Sequence, residues 1–307
     1  MKDNVLPSWR PGTTRDAVVR FLDGVVEVAP EDRVACLDND GTLWCERPSY
    51  IQYDFFVDAL KARAADTDVT GVPEFAALLN HDSAAVGELG LERIALALTS
   101  LFEGISAEEF RNRVRDFMRR AVHPTSGRPL RDGVYQPMLE LIVELRRRDV
   151  AVAIVSGGGT EFVRAVSHQL YGVPPEAVVG TLIDYDYDRD DTGAPRLRRT
   201  RRLDGAANEG AVKVSNIQRQ LGRRPLLAAG NSGGDREMLE WAAAGDGPTL
   251  ALLVEHDDAA REFRYVSKAA SVSETEVITD VGARLGWTVV SMARDWECVF
   301  APARSLR

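Results

Sequence analysis

The 307 residues are 45% hydrophobic, enough to bury a substantial core, and their number suits one large domain carrying an insertion. A net charge of −9 argues against a general nucleic-acid binder, which needs a broad basic surface, so an anionic substrate has to be received by a local positive site. Cys36, Cys45 and Cys298 show no CxxC spacing and leave an odd count, the N-terminal stretch has no apolar h-region, and no run of about 18 apolar residues occurs; the expectation is a soluble cytoplasmic protein with no membrane partner.

Thr13 to Val28 reads as an amphipathic scaffold helix, with Val18, Phe21, Leu22 and Val25 at i, i+3, i+4 and i+7. Val34 to Leu37 is an apolar run suited to a strand buried on both faces, and it breaks into Asp38-Asn39-Asp40-Gly41-Thr42. Alternate side chains share a side in extended backbone, so Asp38 and Asp40 face one small site while Asn39 points away. Two carboxylates desolvated there need a cation or a proton. D-x-D-G-T-L at the end of a first buried strand resembles motif one of the haloacid dehalogenase superfamily, and of its phosphatases in particular. The resemblance implies three more motifs in fixed order: a strand ending in Ser or Thr, a lone Lys, and a strand ending in an acidic, glycine-rich loop.

More than a hundred residues intervene before Val150, and they read as helical. Pro48 to Arg63 is aromatic-rich, Val72 to Leu79 is a short second piece, and Leu91, Ile94, Ala95, Leu98, Leu101 and Phe102 keep a helical period. Ser106-x-x-Glu109 is a capping-box pattern opening a helix with the stripe Phe110, Val114, Phe117 and Ala121. Pro124 to Gly133 is the expected return linker. A four-helix or similar cap follows from this pattern, its phenylalanine stripes being core by periodicity. Trp44, Glu46, Arg47 and Tyr50, immediately beyond the aspartates, are candidate specificity residues.

A helix over Gln136 to Arg148 precedes a second apolar strand, Val150 to Val155, which ends in Ser156-Gly157-Gly158-Gly159-Thr160 before a helix from Glu161 to Leu170. A hydroxyl and glycines at a helix N-terminus make an anion site, in the place of motif two. Val178 to Leu203 reads as a hairpin turning near Thr192-Gly193, with Asp186 expected opposite Arg199 and Asp184 opposite Arg201, so that the two charge runs compensate each other. A calcium loop is excluded because no frame supplies Gly at its sixth and Glu at its twelfth position. Lys213 opens an amphipathic helix built on Val214, Ile217 and Leu221; only the resemblance assigns it as motif three. Pro225 to Ala229 is a short strand running into Gly230-Asn231-Ser232-Gly233-Gly234-Asp235 and a helix over Arg236 to Ala244. The family's usual form has an acid directly after the first glycine and another four residues later; Asn231 stands in the first place and Asp235 in the second. Leu250 to Val254 reads as a strand, Asp257 to Phe263 as a helix, and the mixed segment to Arg307 completes the core.

The fold class is α/β, a Rossmann-like doubly wound parallel sheet with an inserted helical cap: residues 1–46 and 132–307 form the core and 47–131 the cap. All carboxyl strand ends of such a sheet lie along one edge, so the separate motifs converge there. The resemblance then implies a Mg2+-dependent phosphomonoester hydrolase acting on a small phosphorylated metabolite. Asp38 is its nucleophile, forming an aspartyl-phosphate, and Asp40 its general acid and base, with Thr42 contributing to the raised pKa this needs. Ser156, Gly157 and Lys213 hold the phosphate, and Thr42, Trp44, Glu46, Arg47 and Gly158 line the substrate side. The metal is held by Asp38, the carbonyl of Asp40, Asn231 and Asp235, the last directly or through water, with weaker affinity because Asn231 removes a charge. D-N-D argues against dehalogenases, which protonate no leaving group. The insert and hairpin resemble the phosphoserine phosphatase-like branch, for which phosphoserine is one candidate substrate and a choline-like cation against cap aromatics another. A phosphotransferase using the same intermediate and a non-catalytic binder of phosphorylated ligands are the alternatives. The oligomeric state is left open.

Overall fold

The computed structural model describes residues 5–301 apart from 270 and 274, and no side chain at 91 or 92. The ends of both expected core segments, and Leu91 of the apolar stripe, lie outside these described side chains. Among the described residues seven strands form one sheet: β1 (Val34–Leu37), β2 (Ala151–Gly159), β3 (Val178–Arg189), β4 (Pro195–Asp204), β5 (Leu227–Gly230), β6 (Leu250–Glu255) and β7 (Thr288–Ser291). Their order is β4-β3-β2-β1-β5-β6-β7, parallel throughout except for the β3–β4 hairpin.

The central strands are apolar on both sides because helices cover both faces. Ala35, Leu37, Val152 and Ile154 face one layer and Val34, Cys36, Ala153 and Val155 the other. The first layer includes α1 (Thr13–Gly24) and the inserted helices α2 (Ile51–Asp66), α3 (Pro73–Leu79), α4 (Ser83–Leu89), α5 (Leu91–Ser100) and α6 (Ala107–Arg120). To the same side belong α7 (Gln136–Arg146) and α8 (Thr160–Tyr171). The second layer is α9 (Ala211–Leu221), α10 (Arg236–Ala243) and α11 (Ile278–Leu285). The four-residue α12 (Met292–Asp295) follows β7.

After β1 the chain builds outward through β2 and β3, then returns to place β5 on the other side of β1. This reversal opens the crevice at the carboxyl ends of β1 and β5, where ligands of doubly wound sheets bind. The strands leading into it are tethered directly, Asp38 N donating to Ala229 O at 2.9 Å.

The insertion ahead of α7 holds five helices, α2 to α6, one more than expected. The additional one, α4, has no long apolar stripe and starts on Asp82, whose side chain accepts from Ala85 N. Ser106 caps α6 as its sequence pattern predicts, accepting from Glu109 N at 3.0 Å. The outgoing and returning connections lie side by side, with Cys45 N donating to Gly133 O and Tyr135 N to Leu43 O, each at 2.9 Å. Phe55, Phe102, Phe110 and Phe117 are buried against one another and reach α8 through Phe162, 5.6 Å from Phe55, so these rings are core and not a cation cage.

Two expectations are corrected. The hairpin pairs Asp186 with Arg198 and Asp188 with Arg196, with an irregularity between Ile183 and Tyr185, so its register is one residue from the expected one. A one-residue slip turns a side chain to the opposite face: Arg199 is buried instead of facing Asp186. The charge runs still compensate each other, Arg202 Nη2 bonding Asp184 and Asp186 and Arg196 bonding Asp188. Asp257 to Phe263 is a turn closed by an Asp257–Arg264 bridge, not a helix, because Asp258 accepts locally from the Arg261 amide and guanidinium while Asp257 is drawn away to Ser291 and Ala293. No described helix is long and apolar enough to cross a membrane, and all three cysteines are free.

Candidate active site

Beyond β1 the backbone turns back on itself: Leu43 N donates to Asn39 O at 2.8 Å and Gly41 N to Trp44 O at 2.9 Å. Gly41 has φ +73°, and a Cβ there would overlap the Asn231 amide, so glycine is required on both counts. The turn puts Asp38 and Asp40 on the crevice side, while Asn39 points away and accepts from the Tyr171 hydroxyl at 3.0 Å.

Lys213, on the first turn of α9 and 2% exposed, reaches across the sheet edge. Its Nζ donates to Asp38 Oδ1 at 2.6 Å, Asp235 Oδ1 at 2.5 Å and Val155 O at 2.9 Å, which uses all three ammonium hydrogens. Asp235 Oδ2 accepts from Asn231 N and Ser232 N, each at 3.0 Å, and from Ser232 Oγ at 3.2 Å. That approach requires Gly230, since any Cβ there would strike the Asp235 side chain.

Burial opposes a charged ammonium, but Asp235 and Asp38 outweigh it and hold the Lys213 pKa above its ordinary value. The Asp38 carboxyl is held well above the usual carboxylate range, first by burial and then by the charge of Asp235, against the pull of Lys213. Asp40 is raised by burial, although Trp44 Nε1 donates to its Oδ1 at 2.8 Å and Asn39 Nδ2 to its Oδ2 at 3.3 Å. Two carboxylates thus share one ammonium directly, and Asp40 feels its charge from nearby.

Ser156 is fully buried at the end of the apolar part of β2, with Oγ 3.5 Å from Asp40 Oδ2 and accepting from Gly158 N at 3.0 Å. Asn208 Nδ2 donates to Ser156 O at 2.9 Å, and Thr181 Oγ1 to Gly157 O at 2.8 Å, which holds the glycine segment against β3. From the inserted helices, Gln52 Oε1 accepts from Gly159 N at 2.8 Å. Gln52, Thr181 and Asn208 lie outside every motif, and nothing in their sequence neighbourhoods distinguishes them.

Asp38, Asp40, Ser156, Lys213, Asn231 and Asp235 are therefore brought together, with Gly157 and Gly158 alongside. The residues expected on the substrate side divide. Thr42 and Trp44 are both fully buried, Thr42 Oγ1 donating to Asp38 Oδ2 at 3.3 Å and Trp44 packing against Phe162 and Tyr171 behind Asp40. Glu46 is turned inward onto Asn231, which donates to it through Nδ2 at 3.2 Å. The Arg47 guanidinium lies 4.3 Å from the ring centroid of Tyr265. Tyr50 is 43% exposed.

No group of three or more His, Cys, Asp or Glu side chains suited to a metal occurs among the described residues. The oxygen donors present include an amide, and they suit Mg2+: the Thr42 hydroxyl lies 3.3 Å from Asp38 Oδ2 and 3.4 Å from Asn231 Oδ1, so two hard oxygens face one place. Both oxygens of Asp235 are already engaged by Lys213 and by backbone amides.

A sequence model of the haloacid dehalogenase-like hydrolases matches residues 35–240. Among solved structures, a protein with unknown function from Bordetella pertussis Tohama I superposes with a TM-score of 0.50 at 19% identity, over 84% of this chain and 98% of that one. A phosphoserine phosphohydrolase-like protein from Francisella tularensis subsp. tularensis SCHU S4 gives 0.42 at 16% identity, over 73% and 88%. At such identities the first likeness speaks for a common fold. No curated protein matches the sequence.

Proposed function

The chain belongs to the haloacid dehalogenase-like hydrolases, and from that premise we propose that it hydrolyses a small phosphomonoester through an aspartyl-phosphate on Asp38. The observation that carries this reading is the Lys213 ammonium bridging Asp38 and Asp235, with Asp40 and Ser156 on the same crevice. A second acid two residues after the first has no task in displacing a halide, but an alkoxide leaving group needs a proton.

An Asp38 oxygen attacks phosphorus, and the bond from phosphorus to the ester oxygen breaks. The proton of Asp40 passes to that oxygen, and the alcohol departs. Burial raises the Asp40 pKa, which favours the protonated form this step needs, and Oδ2 faces Ser156 on the crevice. A water then attacks phosphorus, Asp40 takes its proton, and the bond from Asp38 to phosphorus breaks to release inorganic phosphate and the carboxylate. Ser156 Oγ and the Gly157 amide orient the phosphoryl oxygens, while Lys213 holds Asp38 in line.

Asp38, Asn231 and the Asp40 carbonyl would hold Mg2+, with Asp235 behind them, and when bound it would supply the second positive charge that favours ionised Asp38 beside a phosphate dianion. The inserted helices make the cap, and Gln52 from α2 closes onto the glycine segment, which favours a small substrate. The helical insertion favours the phosphoserine phosphatase-like branch, with phosphoserine one substrate among the small phosphomonoesters.

Turnover of p-nitrophenyl phosphate and of a panel of phosphorylated metabolites, with and without Mg2+, tests the reading. Metal-dependent release of phosphate, lost by at least about 10^4-fold in Asp38→Asn, is the expected result. Unchanged turnover in that variant would falsify it. Transfer of the phosphoryl group to an added alcohol in preference to water would instead identify a phosphotransferase.

A further inference from the structure

Where the family pattern has an acid, this chain has Asn231, and an amide has two unlike ends. Only its oxygen can ligate a hard cation. Asn231 Nδ2 donates to Ser267 Oγ at 2.7 Å and to Glu46 Oε1 at 3.2 Å, and Ser267 Oγ donates to the same Glu46 oxygen at 2.8 Å. The opposite end, Oδ1, faces the Thr42 hydroxyl and the Asp38 side. Reversing the amide would set its oxygen against the Glu46 carboxylate, acceptor against acceptor.

The pair is built into the fold. Glu46, Asn231 and Ser267 are 6%, 3% and 4% exposed, so water does not compete for these bonds. A Cβ on Gly41 would overlap Asn231 Nδ2 and come 2.9 Å from Glu46 Cδ, and His256 Nε2 lies 2.9 Å from the Gly41 carbonyl oxygen, bracing the turn. Glu46 lies outside the motifs, and Ser267 and His256 come from the segment after β6.

We infer that Glu46 is a positioning residue for the cation: it grips the Asn231 amide by its nitrogen and keeps the oxygen toward Asp38. This rests on the proposed Mg2+-dependent function. Ser267 completes the grip by bridging the two side chains.

The test is Mg2+ binding by calorimetry on the full chain, with circular dichroism and the metal-free Tm of each variant as controls. Glu46→Gln keeps an acceptor but no charge, and it should weaken Mg2+ binding about tenfold, the usual cost of losing an outer partner of a metal ligand. Asn231→Asp should lower the metal-free Tm by setting two buried carboxylates face to face. The double variant N231D/E46Q gives the new carboxylate an amide donor and should return Mg2+ affinity and Tm toward wild type, a rescue that mere loss of packing would not produce. If E46Q does not fold, folding and Mg2+ binding by the double variant decide in favour, and their failure decides against. Equal affinity in wild type and E46Q, or a double variant no better than E46Q, would overturn the inference alone. A wild type that neither binds Mg2+ nor hydrolyses any phosphomonoester would overturn the proposed function with it.

Discussion

Lys213 is the cation on which the buried carboxylates depend. It is held by Asp38 and Asp235 within 2.6 Å of each, and none of the three is more than 6% exposed. Taking the ammonium away leaves two unpaired carboxylates in a dry site, and breaking a buried pair from one side costs about 3–5 kcal/mol. Lys213→Met should therefore lower unfolding stability in denaturant by about that amount while abolishing turnover, and adding Asp235→Asn should recover part of the stability and none of the turnover. A Lys213→Met protein as stable as wild type would show that the carboxylates are neutral in the fold. Asp38 was legible because it sits at a strand end, where backbone geometry decides its direction, whereas Lys213 and Asp235 were assigned only through the family resemblance. Trp44 and Glu46 were not legible. They follow the aspartates closely, but the turn through Asn39, Gly41 and Leu43 directs them behind the carboxylates, and distance along the chain does not reveal that reversal.

Among elements, the inserted helices are fastened to the core through Arg199 of β4. Its guanidinium lies 3.8 Å from the ring centroid of Phe110 on α6 and pairs with Glu161 at the start of α8, while its backbone exchanges bonds with Gly104 and Ile105. Burial pushes the Glu161 carboxyl up to about 7, with Arg164 pulling the other way. With Arg199 replaced by Met, the stack on Phe110 is kept and the charge is lost. Glu161 already titrates at about 7 beside Arg199, and without the guanidinium its folded pKa should lie higher still. The stability cost of Arg199→Met should therefore be nearly flat below about pH 7, where Glu161 is protonated in both folded proteins, and grow as pH rises from about 7 toward about 9. Chemical denaturation of both proteins across that range measures it; a cost that shrinks with rising pH would show that the pairing does not stabilise the fold. The hairpin itself was legible from its charge runs, but its register was not, because either register pairs opposite charges on exposed arms. The burial of Arg199 selects between them, and burial is a tertiary fact.

For the whole molecule, strand order explains why a site made from residues 38 to 235 is compact: the chain reverses at β1, so β2 and β5 flank it and their ends meet. The doubly wound core was legible because strands buried on both faces are continuous apolar runs. The segment after β6 was not, since Thr288–Ser291 is only four residues and His256, Glu262 and Ser267 lie in aperiodic backbone, positioned by packing against Gly41, Tyr135 and Glu46. That segment closes the back of the site, so charge in the crevice is felt by the fold as a whole. Lys213 bonds Asp38 and Asp235, and burial holds Asp38 well above the carboxylate range and raises Asp40, so without a second cation the crevice disfavours charge on these acids. A ligand that binds only the folded chain at 100 times its Kd adds about 2.7 kcal/mol. For a chain of this size each kcal/mol is worth about 2 °C or a little more, so saturating Mg2+ should raise Tm by about 5 °C or more and chelation should reverse it. Asp38→Asn removes a proposed ligand and also relieves the crowding of charge, so it should start from a higher metal-free Tm and show little response to Mg2+. A Mg2+ shift as large in Asp38→Asn as in wild type would mean that the ion stabilises the fold from somewhere other than this crevice.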